Sequence, residues 1–225
     1  MNSQTEENYL KAICKLSMLS NKGGKGTPIS VSTSALANEM GVQSATVTDM
    51  LKKLSAKKKI KYKKYYGTEL TETGRLEAMR IIRKHRLWET FLVEKLGFGW
   101  GEVHEVAEQL EHVNSPQLTD RLDAFLGYPK TDPHGDPIPD KDGEVRSRPT
   151  VLLTALKAGD RGVITAVKHD GKDLLDYLDR HGLVLDSAVE VLEVLPFDRS
   201  MQLRAAGREH FVSEKIAENI LVVTE

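Results

Sequence analysis

SVSTSALANEMGVQSATVTDMLKKLSAKKKI, residues 30–60, decides the architecture of this chain. Leu36, Ala37 and Met40 recur on one helical face, and Val47, Leu51 and Leu54 on another. That is the pattern of two short amphipathic helices. Gly41 stands between them, where a left-handed turn costs glycine little. Ser44 is expected to cap the second helix. Two short helices about a tight glycine turn make a helix-turn-helix. The residues that follow, IKYKKYYGTELTETG (60–74), alternate like a small hairpin with Gly67 near its turn. The unit is therefore a winged helix-turn-helix.

The second helix of such a unit offers its N-terminal residues to base edges in the major groove. Here those are Gln43, Ser44, Ala45, Thr46, Thr48 and Asp49, small and polar as entry into a groove requires. Eight lysines and no acid lie between Met50 and Thr68. Lys52, Lys53, Lys63 and Lys64 are assigned to phosphate contacts. A solvated helix end would explain a lysine run alone. Joined to the turn, the cap and the wing, the run points to double-stranded DNA.

A helix is expected over 5–20, followed by a Gly/Pro break, NKGGKGTP (21–28). A long helical pattern covers 75–96 and ends at Gly97 and Gly99, and a further helix is expected from Ser115 to Leu126. Residues 127–149 hold five prolines and read as a linker or extended arm. From Val151 the texture alternates like strands, with a short helix around Leu174–Arg180. The expected fold is mainly α with a small β domain. Its divisions are a winged-helix domain (1–74), a helical domain (75–140), a linker (141–150) and a β-barrel domain (151–225).

A second stretch carries metal chemistry. In EVHEVAEQLEHV (102–113), His104, Glu108, Glu111 and His112 crowd into nine residues. On a helix turning roughly 100° per residue they fall within an arc of roughly 100°. Oxygen and nitrogen donors without cysteine suit Mn²⁺ or Fe²⁺. One helix cannot complete an octahedron, and His85 and Glu89, four residues apart upstream, are candidates to add ligands. Most of His134, His169, His181 and His210 read as ordinary surface residues. Cys14, on the apolar face of the first helix, reads as a buried core thiol.

Composition bounds the rest. Net charge is −1 over 225 residues, so the lysine-rich segment is a local extreme. A single cysteine excludes an internal disulfide framework and points to a reducing compartment. The N-terminus has no apolar signal core and no run approaches 18 apolar residues, so a soluble cytoplasmic protein with no membrane partner is expected. A metallohydrolase using the His/Glu cluster is the alternative from another class. The chain has no HExxH, nucleophile elbow or phosphate loop, and no enzyme is expected.

The stretches EENYLKAI (6–13), TVTDMLKKL (46–54), LTETGR (70–75), RKHRLWETFL (83–92), EVHEVAEQLEHV and DPHGDPIP (132–139) together resemble the diphtheria toxin repressor family of metal-dependent transcriptional regulators, which includes the manganese transport regulators. The resemblance implies a winged helix, a helical dimerisation domain and a C-terminal SH3-like β-barrel related to iron-transport accessory domains. It implies two metal sites per subunit: a primary set of Asn8, Glu108, Glu111 and His112, and an ancillary set of His85, Glu89 and His104. Third-domain ligands are placed, most weakly, at His169 and Asp170. It implies a homodimeric repressor, with Mn²⁺ or alternatively Fe²⁺ as corepressor, acting on a palindromic operator. Three departures bear on the metal. Glu108 replaces the cysteine of iron-type members. Asn8 stands where iron types have Met and manganese types Asp. Lys11 falls where two-domain manganese regulators carry a glutamate ligand, and His104 favours two separated sites.

Overall fold

The computed structural model of the chain describes residues 3–20, 30–146, 149–168 and 171–224; the break at 21–28 and the pair His169 and Asp170 lie outside them. The chain divides into two compact units. The first comprises 1–85, 111–114 and 139–145, and the second 86–110, 115–138 and 146–225.

The first unit holds α1 (Gln4–Ser20), α2 (Thr33–Met40), α3 (Ser44–Ala56) and a hairpin of β1 (Ile60–Lys63) and β2 (Gly67–Leu70). The first part of α4 (Glu72–Leu96) follows. Gly41 ends α2 at φ 63°, and its N–H bonds back to Ala37 and Asn38 carbonyls, as the turn requires. Ser44 is not the cap of α3. Gln43 takes that position without a side-chain bond, and Ser44 begins the helix. The side-chain cap sits one helix earlier, where Ser32 Oγ accepts from the Ala35 N–H. Antiparallel pairing runs from Ile60 opposite Leu70 to Lys63 opposite Gly67, which leaves 64–66 as the wing tip. Thr71 Oγ1 accepts from the Gly74 N–H and so caps the start of α4.

The core of this unit interleaves Leu10 and Ile13 of α1, Leu36 of α2, Val47, Leu51 and Leu54 of α3, Ile60 of β1, and Ala78 and Ile82 of α4. Cys14 is buried in the same core. Removing one such side chain to Ala costs about 2–5 kcal/mol. Part of the expected linker belongs here as well: Arg75 donates to the Gly143 carbonyl at 3.1 Å and Val145 packs on the core.

One charged group is buried with these apolar residues. Glu6, in the first turn of α1, is 1% exposed and meets Lys57 at 2.8 Å and Lys53 at 3.3 Å, both on or just after α3. It fastens α1 to α3.

The second unit contains the rest of α4, then α5 (Val103–Leu110), α6 (Pro116–Phe125) and the β domain. Ser115 caps α6 by accepting from the Leu118 N–H. The β domain comprises β3 (Val151–Leu152), β4 (Arg161–Val167), α7 (Lys172–Arg180), β5 (Ala188–Val194), β6 (Met201–Ala205), β7 (Arg208–Val212), α8 (Glu214–Ala217) and β8 (Ile220–Thr224). Its antiparallel sheet has the order β3-β8-β4-β5-β6-β7, with register shifts at Ile164/Ala166 and Val191/Glu193 that bend it around one core. Leu153, Ile164, Leu175, Leu178, Val191, Leu203 and Val222 fill that core. This is the small SH3-like domain expected from 151 onward.

Burial pushes the Glu6 carboxyl up, but its lysine partners and the Ser3 N–H outweigh that and hold it below the usual range. The charged form therefore stabilises the fold above the ordinary carboxylate range, and that contribution is lost as pH falls through it. Glu6→Gln should be less stable than wild type at neutral pH, with the gap closing in acid. Urea melts from pH 7 to pH 3 measure it, and a pH-independent gap would show that the charge is irrelevant.

Candidate metal centre and DNA-reading surface

Helix α5 ends at Leu110, so the expected single stripe breaks: Glu111 and His112 lie in the turn that follows. Their partners explain the departure. Lys11 of α1 grips both Glu111 carboxylate oxygens, at 2.8 and 2.9 Å. His85 Nδ1 of α4 stands 2.6 Å from Glu111 Oε2. His112 Nδ1 lies 2.7 Å from Glu7 Oε2 on α1. Glu111 is fully buried. Burial alone raises its pKa, yet His85 and Lys11 hold the carboxyl below the usual range. Burial pushes the nearby Lys84 ammonium down, and Glu7 and Glu111 act against that.

Asn8 sits one residue from Glu7. Its Oδ1 is buried with no hydrogen-bond partner among the described residues. A buried amide oxygen without a donor is costly. A divalent cation would satisfy that oxygen, and Glu111 and His112 are donors of the right kind, so the chain's residues fit the metal that the resemblance implies. The fourth residue of that set, Glu108, belongs to the second unit, where it is half exposed.

In the second unit Glu89 is buried and meets His104 Nδ1 at 3.2 Å, while His104 Nε2 faces Glu108 Oε1 at 3.5 Å. Glu89 and His104, two of the three residues expected in the ancillary set, meet within this unit. Glu89 also stands in a group that the sequence reading missed. Donor atoms of Glu89, Asp132 and His134, all buried, lie within 4.8 Å of one another. His134, expected at the surface, is only 4% exposed, and His210 is buried too.

The DPHGD turn builds this group. Asp132 Oδ1 accepts from the N–H groups of His134 and Asp136, closing the turn on itself. Gly135, at φ +86°, passes the Thr165 carbonyl so closely that a Cβ would stand 1.9 Å from it. Only glycine lets the turn lie against β4. His134 Nε2 is 2.7 Å from the Trp100 carbonyl, which can only accept, so this nitrogen carries the proton. In the neutral ring the Nδ1 lone pair then lies 3.9 Å from Glu89 Oε2. A histidine whose second nitrogen donates to a backbone carbonyl is oriented as a metal ligand needs. Burial, then Asp136 and Glu89, push the Asp132 carboxyl well above its usual range, against the pull of Arg86. A cation between such carboxylates relieves that repulsion.

The residues expected to read DNA lie at the start of α3 and on the wing. Gln43, Ser44, Ala45, Thr46, Asp49 and Lys52 are exposed, and Thr48 is half-buried. Lys63 lies over the Tyr66 ring at 4.1 Å and Lys64 over Tyr65 at 4.9 Å. The lysine run is not uniform, however. Lys53 and Lys57 bind Glu6, Lys59 binds Glu77, and Lys52 meets Asp49.

A winged helix followed by metal-capable helices and a small β domain defines a class, that of metal-responsive transcriptional regulators. Known proteins place the chain within it. Residues 1–68 match the family described as iron dependent repressor, N-terminal DNA binding domain. Residues 71–140 match its metal binding and dimerisation domain, and residues 151–224 the FeoA domain. The iron-dependent repressor IdeR of Mycobacterium leprae is 36% identical over 135 residues, 55% of this chain and 59% of that protein, so the match spans less than two thirds of the relative. An uncharacterised HTH-type transcriptional regulator of Methanocaldococcus jannaschii is 35% identical over 124 residues, 55% of this chain and 94% of that protein. A solved manganese-dependent transcriptional repressor in complex with manganese superposes at a TM-score of 0.84 with 34% identity, covering 98% of this chain and all of the other. The chain belongs to the diphtheria toxin repressor family of metal-dependent transcriptional regulators. The metallohydrolase alternative gains no support from these relatives, all named as regulators.

His134→Ala should weaken divalent-metal binding at the Glu89 group by at least about tenfold, read by calorimetric titration with Mn²⁺. Unchanged stoichiometry and affinity would remove His134 from the ligands.

Proposed function

We propose that this protein is a homodimeric, metal-activated repressor that acts in the cytoplasm on a palindromic DNA operator, with Mn²⁺ the first choice of corepressor and Fe²⁺ the second. The observation that carries the reading is the double attachment of α1. On one side Glu6 holds the reading helix through Lys53 and Lys57. On the other, Glu7 and Lys11 hold His112 and Glu111. Whatever changes the bonding of Glu111 and His112 changes the tether of α1, and with it the placement of α3. Asn8, Glu111 and His112, with Glu108 as the family's fourth ligand, would hold a divalent cation, whose positive charge would balance the carboxylates. The ancillary set of His85, Glu89 and His104 is assigned a second ion, for which Asp132 and His134 are added donors. An effector acts by favouring one conformation over another.

Glutamate at position 108 in place of cysteine favours a harder ion, which supports manganese. The relatives divide between iron-dependent and manganese-dependent repressors, and iron remains the alternative.

A second copy of the chain has a seat on α6. On α6, Leu118 is 40% and Phe125 65% exposed, and Phe125 packs on Phe91 at 6.1 Å. Large exposed apolar groups at seven-residue spacing form a helix face suited to self-association. Phe125→Asp should convert the dimer to monomer in analytical ultracentrifugation.

Operator binding with and without Mn²⁺, in wild type and Glu108→Ala, tests the whole reading. Affinity should rise with metal in wild type and respond far less in the variant; equal affinity in all four cases would sink the metal switch. Changing Lys63 and Lys64 together to Ala should lower the salt slope of binding by about two. An unchanged slope would remove the wing from the phosphate contacts.

A further inference from the structure

We infer that Lys11 is a cation carried by the chain itself at the metal centre, and that its competition for Glu111 sets how much metal the repressor needs. The inference rests on the reading above, in which Glu111 is a metal ligand. The Lys11 ammonium engages both Glu111 oxygens, at 2.8 and 2.9 Å, across 100 residues of sequence. Glu111 is fully buried, and the Lys11 side chain is 18% exposed, so water screens this pair little. A cation that takes Glu111 meets this positive charge. Either the ammonium leaves the carboxylate or two like charges share it, and both weaken metal binding relative to a chain with a neutral residue there.

The surroundings make the competition specific to Lys11. His85 Nδ1 also stands 2.6 Å from Glu111 Oε2, but it comes from α4 and not from α1. Lys84 feels Glu7 and Glu111, and burial weakens its hold on its own proton. Lys11 lies on α1 one turn from Asn8 and Glu7, the helix that also anchors the reading helix through Glu6. Release of Lys11 from Glu111 therefore alters the same tether that the metal is proposed to move. Metal affinity and DNA-reading posture are set by one salt bridge.

The test compares wild type with Lys11→Met and Lys11→Gln, which remove the charge, and Lys11→Arg, which keeps it. Mn²⁺ affinity is read by isothermal titration calorimetry on the full chain. An adjacent charge changes a carboxylate's affinity for a cation by about tenfold or more, so the neutral variants should bind Mn²⁺ at least about tenfold more tightly and Lys11→Arg near wild type. Their metal-free melting temperatures should fall below wild type, and Mn²⁺ should raise them by more than it raises the wild type's. Neutral variants that bind with the wild-type affinity overturn the inference. In wild-type protein with ¹⁵N-labelled lysine, Zn²⁺ should abolish the exchange protection of the Lys11 ammonium; protection that persists at saturation also overturns it, whether or not the variants fold. A wild type that binds no divalent metal would instead overturn the functional reading itself.

Discussion

A carboxylate with no access to water must find its charge balance inside the protein, and Glu111 is such a group. Leaving it unpaired would cost several kcal/mol, and removing one partner of a buried pair typically costs about 3–5 kcal/mol. Much of the first unit is arranged around that constraint. Lys11 comes from α1, His85 from α4, and Glu111 from the turn after α5. Three segments distant in sequence are held by one acid. The same segments carry Asn8, Glu7 and His112, so the groups that satisfy the buried charge also border the donors suited to a cation.

Charge of the opposite sign is divided just as deliberately. Taken as a row of letters, the eight lysines between Met50 and Thr68 look like one basic patch. Folded, they serve two purposes. Lys53, Lys57 and Lys59 bind acids of α1 and α4 and so hold the reading helix and the wing to the rest of the unit. Lys63 and Lys64, resting on tyrosine rings at the wing tip, remain presented to solvent. Three of the eight lysines thus tie the unit together, while the wing-tip pair stays on its surface.

The DPHGD turn shows where linear reading stopped. Prolines and glycine mark it as a turn, and that much was legible. Its self-closing bonds and the approach of Gly135 to β4 bury Asp132 and His134, and with them a group of donors around Glu89. Histidines outside a helical pattern gave no sign of burial. The Asp-x-His-x-Asp spacing was the one available signal, and it is too common to weigh alone. The break of the His/Glu stripe at Leu110 has the same origin, since a helix end is decided by partners from other segments as much as by its own residues.

The sequence by itself determined the elements and their kind. Helical periodicity, the Gly41 turn, the alternating hairpin and the strand texture after Val151 are local signals, and local backbone preference governs them. The motifs that carry the family resemblance are likewise contiguous, so the class of protein was legible before any coordinate. The tertiary structure decided which charges meet. The pairing of Lys11 with Glu111, of Glu6 with Lys53 and Lys57, and of Glu89 with His104 and the DPHGD turn joins residues separated by tens of positions. Such pairings depend on burial, which is a property of the packed chain and not of any window along it.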